Sequence, residues 1–145
     1  MTDPFDDLYR ELILDHYRRP RNHGPIETAP VRVEGVNPVC GDEIHIDLDV
    51  RDGVIQAIGF WGQGCSISQS SASMLTEGVK GRSPQQAACL ASAVKAMLVD
   101  GAPPSRELGD LEALEGVAKL PVRVKCALLC WNVLEQGLRE AANAT

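Results

Sequence analysis

Asp42-Glu43-Ile44-His45-Ile46-Asp47-Leu48-Asp49-Val50, followed by Arg51-Asp52-Gly53, is the stretch that decides the fold. Ile44, Ile46, Leu48 and Val50 alternate with Glu43, His45, Asp47 and Asp49. A period of two is that of a strand with one buried face. Parity places Asp42 on the buried face with Ile44, where a carboxylate is costly unless it is paired or bound to a cation. His45 is expected on the polar face, solvated among the carboxylates. Arg51-Asp52-Gly53 reads as a hairpin turn and Val54 to Phe60 as the partner strand. Upstream, Val31 and Val33 alternate with Arg32 and Glu34 and give a short third strand. Together these make a three-stranded antiparallel sheet, and no other segment reads as a convincing strand.

Outside the sheet the period changes to that of helices. A first helix opens at Asp3-Pro4, with Asp3 as cap and Phe5, Leu8, Leu12 and Ile13 on one face, and it stops before Pro20. His16 falls near its end. Residues Arg18 to Pro25, including His23, form a basic loop that is either solvated or a docking patch for an acidic partner. Trp61 to Cys65 leaves the sheet. Ser66-Ile67-Ser68-Gln69 has the form of a capping box with Ser66 as cap, followed by Ile67, Ser71, Met74, Leu75 and Val79 on one face. Ser83-Pro84 starts a further helix with the stripe Ala87, Leu90, Ala91, Val94 and Leu98. Asp100-Gly101-Ala102-Pro103-Pro104 is a linker, Leu108 to Val117 holds at most short helical turns, and Pro121 opens a last helix running to about Arg139. The class is α+β, a small sheet packed by about five helices.

The chain has 145 residues, enough for one domain over 1–145 that folds without disulfides. Aromatics make up only 4%, so the core must come from Leu, Ile, Val, Ala and Met. A net charge of -6 argues against a nucleic-acid partner held through phosphates. No apolar run is long enough for a membrane span and the acidic N-terminus does not read as a signal peptide, so a cytoplasmic location is expected.

Five cysteines, at 40, 65, 89, 126 and 130, are an odd set in a chain without secretory features, which favours metal binding or catalysis over a disulfide framework. Cys40 lies between Pro38 and Gly41, flanks that keep it out of regular structure. Cys65 precedes a helix N-terminus, whose amides and dipole favour a thiolate, and Gly62 and Gly64 leave room around it. Cys40, Asp42, Cys65 and Cys126 are the candidate ligands of a four-coordinate metal. Each cysteine can also be a small buried hydrophobe. Cys130, one turn beyond Cys126 on the same helix face, competes with it. Cys89 and Cys130 read more simply as packing residues.

Three segments carry a resemblance to a known family: Cys40-Gly41-Asp42, Gly62-Gln63-Gly64-Cys65-Ser66-Ile67-Ser68 and Arg123-Val124-Lys125-Cys126-Ala127. They resemble the IscU/NifU N-terminal superfamily of iron–sulfur assembly proteins. Leu14-Asp15-His16-Tyr17 and Pro20-Arg21-Asn22 extend the likeness toward the start of the chain. Scaffold-type members carry a His immediately before the third cysteine, and here that position is Lys125. The segment from Gly101 to Pro121 resembles the insertion of the SufU branch.

Membership of that branch implies a SufE/IscU-like fold and a Zn²⁺ held by Cys40, Asp42, Cys65 and Cys126. It further implies transfer of persulfide sulfur from a PLP-dependent cysteine desulfurase of SufS type, with Cys40 as the attacking thiolate, toward downstream SUF cluster-assembly proteins. Three thiolates, a carboxylate and Zn²⁺ sum to a charge of about -2, which Arg123 and Lys125 beside the third thiolate are expected to offset. Two other readings stay open: a scaffold that builds a [2Fe–2S] cluster on the same thiolates, and a binding module in which zinc only fixes the fold.

Overall fold

A computed structural model describes the backbone of residues 4–143 and the side chains of residues 9–143. The expected cap at Asp3 and the apolar contributions of Phe5 and Leu8 lie outside the described residues. In chain order the elements are α1 (Pro4–Arg18), β1 (Val31–Asn37), β2 (Asp42–Arg51), β3 (Val54–Gln63), α2 (Ser66–Val79), α3 (Pro84–Val99), a run of 3₁₀ turns η1 (Arg106–Lys119), and α4 (Pro121–Asn143). This is the expected three-stranded antiparallel sheet with five helical segments.

The strands form a meander in the order β1-β2-β3. Val31 pairs with Leu48 and Asn37 with Asp42, so β1 and β2 are joined by the four residues 38–41. Asp52 and Gly53 turn the chain between β2 and β3, both at positive φ (56° and 73°), the signature of the tight two-residue hairpin. β3 extends beyond Phe60: Trp61, Gly62 and Gln63 pair with His45, Ile44 and Glu43. The expectation that Trp61 to Gln63 leaves the sheet is therefore corrected, because the start of β2 still offers partners there.

One face of the sheet carries the core. Ile44, Ile46, Leu48, Ile58 and Phe60 are buried, and α4 lies across β1 and β2. Gly137 sits against Val33 and Leu48 and lets α4 approach closely. The core continues outward through α2 to α3 and η1. The expected stripe of α3 is wholly buried.

The other face of the sheet is less exposed than its polar alternation suggests. Asp47 is completely buried: its Oδ2 accepts the N–H of Ile26 at 2.8 Å, because the segment after α1 folds over that face. The same segment borders β3, with the Gly24 N–H donating to the Phe60 carbonyl and the His23 ring edge-on to Phe60. Arg21 is occupied by Asp15 at 2.6 Å and by Glu77, so it is not available to a docking patch. His45 is half-buried rather than solvated, stacked on Trp61 and flanked by Glu43 at 2.6 Å and Glu34 at 3.1 Å.

Two helix starts also differ from expectation. Cys65, not Ser66, is the N-cap residue of α2, and no side chain caps it. The full capping box is at the start of α3, where Ser83 and Gln86 bond reciprocally and Pro84 takes the first turn. Most of α2 is buried, including Ser68, Ser70, Ser71, Ser73 and Thr76, so these small hydroxyl residues serve as interior hydrogen-bonding groups.

Candidate metal centre

Cys40 is near the tip of the β1–β2 hairpin. The turn is closed by the Gly41 N–H donating to the Asn37 carbonyl at 2.8 Å. The buried Asn37 side chain braces it, accepting from Val39 N–H at 3.2 Å and donating from Nδ2 to Cys40 Sγ at 3.4 Å. Asn37 had no role assigned from sequence. Its place at a strand end before a proline, where a side-chain amide can close a turn, was the available signal.

Asp42 opens β2 and is 1% exposed. Its Oδ1 accepts the Cys65 N–H at 3.1 Å, while Oδ2 is buried with no hydrogen-bond partner. Gly64 makes this approach possible, since a Cβ there would collide with Asp42 Oδ1 and Ser68 Oγ. Ser68 donates to the Cys65 carbonyl at 3.0 Å and fixes the first turn of α2.

Cys126, buried in the first turns of α4, brings its sulfur to 3.3 Å from that of Cys40. The ligating atoms of Cys40, Asp42 and Cys126 lie within 4.8 Å of one another. Cys65 is not part of that tightest cluster, but its thiol interacts with Cys126 by charge and hydrogen bonding. Burial pushes the Cys126 thiol far above its ordinary value, and hydrogen bonds with Asp42 and Cys40 add to the rise.

Cys130 is separated from this group. It is fully buried and donates to Ser71 Oγ at 3.3 Å, beside the Trp131 indole N–H, which uses the same hydroxyl at 3.2 Å. Cys89 is exposed on α3. Arg123 is exposed on the first turn of α4 within reach of two thiols: the charge of Cys65 first, then hydrogen bonding and charge from Cys126, raise its basicity. Lys125 lies two positions further along α4. It lines a groove of about 240 Å³ with Val36, Asn37, Pro38, Leu128, Leu129 and Asn132. Two residues along a helix turn Lys125 away from Arg123, toward that groove.

The arrangement suits a cation. A buried carboxylate oxygen without a partner needs a donor or a positive charge, and a thiol held protonated by burial ionises readily only beside one. Sulfur and oxygen donors from two hairpin positions, a helix cap and a helix face are a zinc-type set. Val39 and Val122, at 74% and 62% exposure, give the site an apolar rim.

The family described as NifU-like N terminal domain matches residues 8–141. The zinc-dependent sulfurtransferase SufU of Bacillus subtilis is 42% identical over 134 residues, covering 92% of this chain and 90% of that protein. The iron–sulfur cluster assembly scaffold protein IscU of Streptococcus pyogenes is 41% identical over 139 residues, covering 94% and 86%. Among solved structures, a candidate iron–sulfur cluster assembly scaffold protein for the SUF system from Fervidobacterium islandicum superposes with a TM-score of 0.83 at 33% identity, over 88% of this chain and 94% of that one.

Proposed function

This chain belongs to the NifU-like N-terminal domain family, and from that premise we propose that it is an iron–sulfur cluster assembly protein acting as a zinc-dependent sulfurtransferase. Cys40, Asp42, Cys65 and Cys126 would hold the zinc. The observation that carries this reading is Asp42, a buried carboxylate whose Oδ2 has no partner, set within 4.8 Å of two sulfurs that are themselves 3.3 Å apart. Bound there, zinc supplies the positive charge that keeps the thiols deprotonated at neutral pH.

The division of labour follows from position. Asp42 is anchored by the Cys65 N–H and sits inside the sheet, so it is a fixed ligand. Cys126 is buried in a long helix. Cys40 is on a hairpin loop, partly exposed, and is the thiol that can move. The Cys40 thiolate attacks the outer sulfur of a persulfide on a PLP-dependent cysteine desulfurase of SufS type. A new S–S bond forms on Cys40, the donor's S–S bond breaks, and the donor leaves as a thiolate that takes up a proton. The step involves no net oxidation. Arg123, beside Cys65 and Cys126, stabilises the negative charge of the site, and the apolar rim of Val39 and Val122 suits a protein donor. Downstream SUF assembly proteins then receive the sulfur.

Cys40→Ala tests the assignment through stimulation of the desulfurase. Loss of stimulation with zinc still bound is expected, and full stimulation by the variant overturns it. The scaffold reading rests on the same donor set, since thiolates also ligate iron–sulfur clusters, and on the similarity to a protein named as a scaffold. Aerobic purification separates the two: a colourless protein with one zinc supports sulfur transfer, and a brown one supports the scaffold.

A further inference from the structure

We propose that His16, Glu77 and Asp110 form a second site, for a first-row divalent cation that prefers nitrogen and oxygen donors. The three residues come from α1, α2 and η1, and none belongs to the thiol cluster. Glu77 is 12 residues beyond Cys65 along α2, about 18 Å at the helical rise.

His16 is 1% exposed, an unusual degree of burial for an imidazole aimed at carboxylates. Its Nε2 meets two of them at once, Asp110 Oδ2 at 3.3 Å and Glu77 Oε1 at 3.8 Å. Its Nδ1 is 2.7 Å from Ser73 Oγ, which also accepts the Arg21 N–H at 2.9 Å. If Nδ1 carries the proton, a lone pair on Nε2 faces two negative groups. If Nε2 carries it, one proton serves two carboxylates. A cation at the meeting point satisfies all three groups, with Ser73 fixing the ring from behind as second-shell partners do.

The spacing and charge agree. Ligands at about 2.1 Å from a metal stand roughly 3.0 Å apart in octahedral and about 3.4 Å apart in tetrahedral geometry. The observed 3.3 and 3.8 Å need only sub-ångström adjustment. The three side chains border a recess of about 240 Å³, which Glu107 and Arg82 also line. Three carboxylates therefore face one guanidinium there. Arg21 approaches Glu77 at 3.5 Å but holds Asp15 more closely at 2.6 Å. Gly109, at φ 55°, breaks η1 immediately before Asp110 and allows the turn that presents it. A bound cation would fasten η1 to α1 and α2.

Manganese is the appropriate probe, because a hard cation does not displace zinc from thiolates. Protein loaded with one equivalent of zinc is titrated with Mn²⁺, and free Mn²⁺ is read by electron paramagnetic resonance. One additional equivalent is expected to bind and to raise the melting temperature. Asp110→Asn and Glu77→Gln, at positions about half exposed, are expected to weaken Mn²⁺ binding at least tenfold and abolish the rise in melting temperature, while retaining the zinc and the parent's circular dichroism. No Mn²⁺ binding by the parent, or undiminished binding by both variants, overturns the proposal.

Discussion

Asp42 Oδ1 accepts the backbone N–H of Cys65 at 3.1 Å, and this bond fastens the start of β2 to the N-terminus of α2. One carboxylate oxygen thus anchors the residue that precedes α2 while the other is left buried and unpaired. The two oxygens have different consequences when the charge is removed.

Asp42→Asn keeps an acceptor for Cys65 but loses the negative charge. Without metal, the variant is expected to be as stable as the parent or more so, because an unpaired buried charge has gone. With metal, its zinc affinity is expected to fall by more than the roughly 10–100-fold that losing a supporting residue costs. Urea unfolding of metal-free protein and chelator competition measure the two effects. Zinc affinity unchanged from the parent would identify Asp42 as a structural acceptor only.

Gly64→Ala places a methyl group against Asp42 Oδ1 and Ser68 Oγ. The overlap is expected to cost about 1–3 kcal/mol, and zinc affinity should fall with it because the displaced group is a proposed ligand. Gly81→Ala is not an equivalent control, since Gly81 has positive φ. Gly116→Ala is one, with open space at its Cβ.

Arg123→Ala is expected to slow sulfur acceptance while leaving stability within about 0.5 kcal/mol of the parent, as for most exposed positions. Lys125→Ala should leave the rate unchanged, since Lys125 faces the groove beside Val36 and Pro38. Stopped-flow transfer from a persulfidated desulfurase compares them. Equal loss in both variants would point to general charge rather than to the position of Arg123.

Burial pushes the Cys130 thiol from 9.0 up to about 12, opposed in part by its hydrogen bonding with Ser71. A raised value in the folded chain means the proton is held more tightly there than in the unfolded chain. The associated stability is complete below about pH 9 and is lost toward pH 12, at up to about 1.4 kcal/mol per pH unit. Urea unfolding across this range should show the decline, and Cys130→Ala should remove part of the slope while lowering stability at neutral pH through the cavity it leaves. An identical slope in both proteins contradicts this account.

The sheet was legible because its signals are local: strict alternation in β2 and the Asp52-Gly53 turn. Inward parity also identified Asp42 correctly as buried. Asp47 shares the polar alternation of Glu43 and His45, and its burial depends on the segment around Ile26, which no local pattern reveals. His16 looked like a helix-end residue for the same reason, being enclosed by Ser73 and Asp110 from distant parts of the chain. Cys126 and Cys130 were equivalent by helical spacing. Ser71 on α2 separates them by engaging Cys130, whereas the sulfur of Cys126 lies against Cys40.

The separation of 86 positions from Cys40 to Cys126 sets an order of events in folding. Cys40 and Asp42 come from one hairpin, so two donors can meet as soon as that local turn forms. Cys126 joins them only after α4 has docked across β1 and β2, a contact of long sequence separation and correspondingly slow closure. A nascent or C-terminally truncated chain therefore offers only part of the proposed donor set. Under the proposed zinc assignment, full ligation would be a molecular report that the last helix has been made and seated.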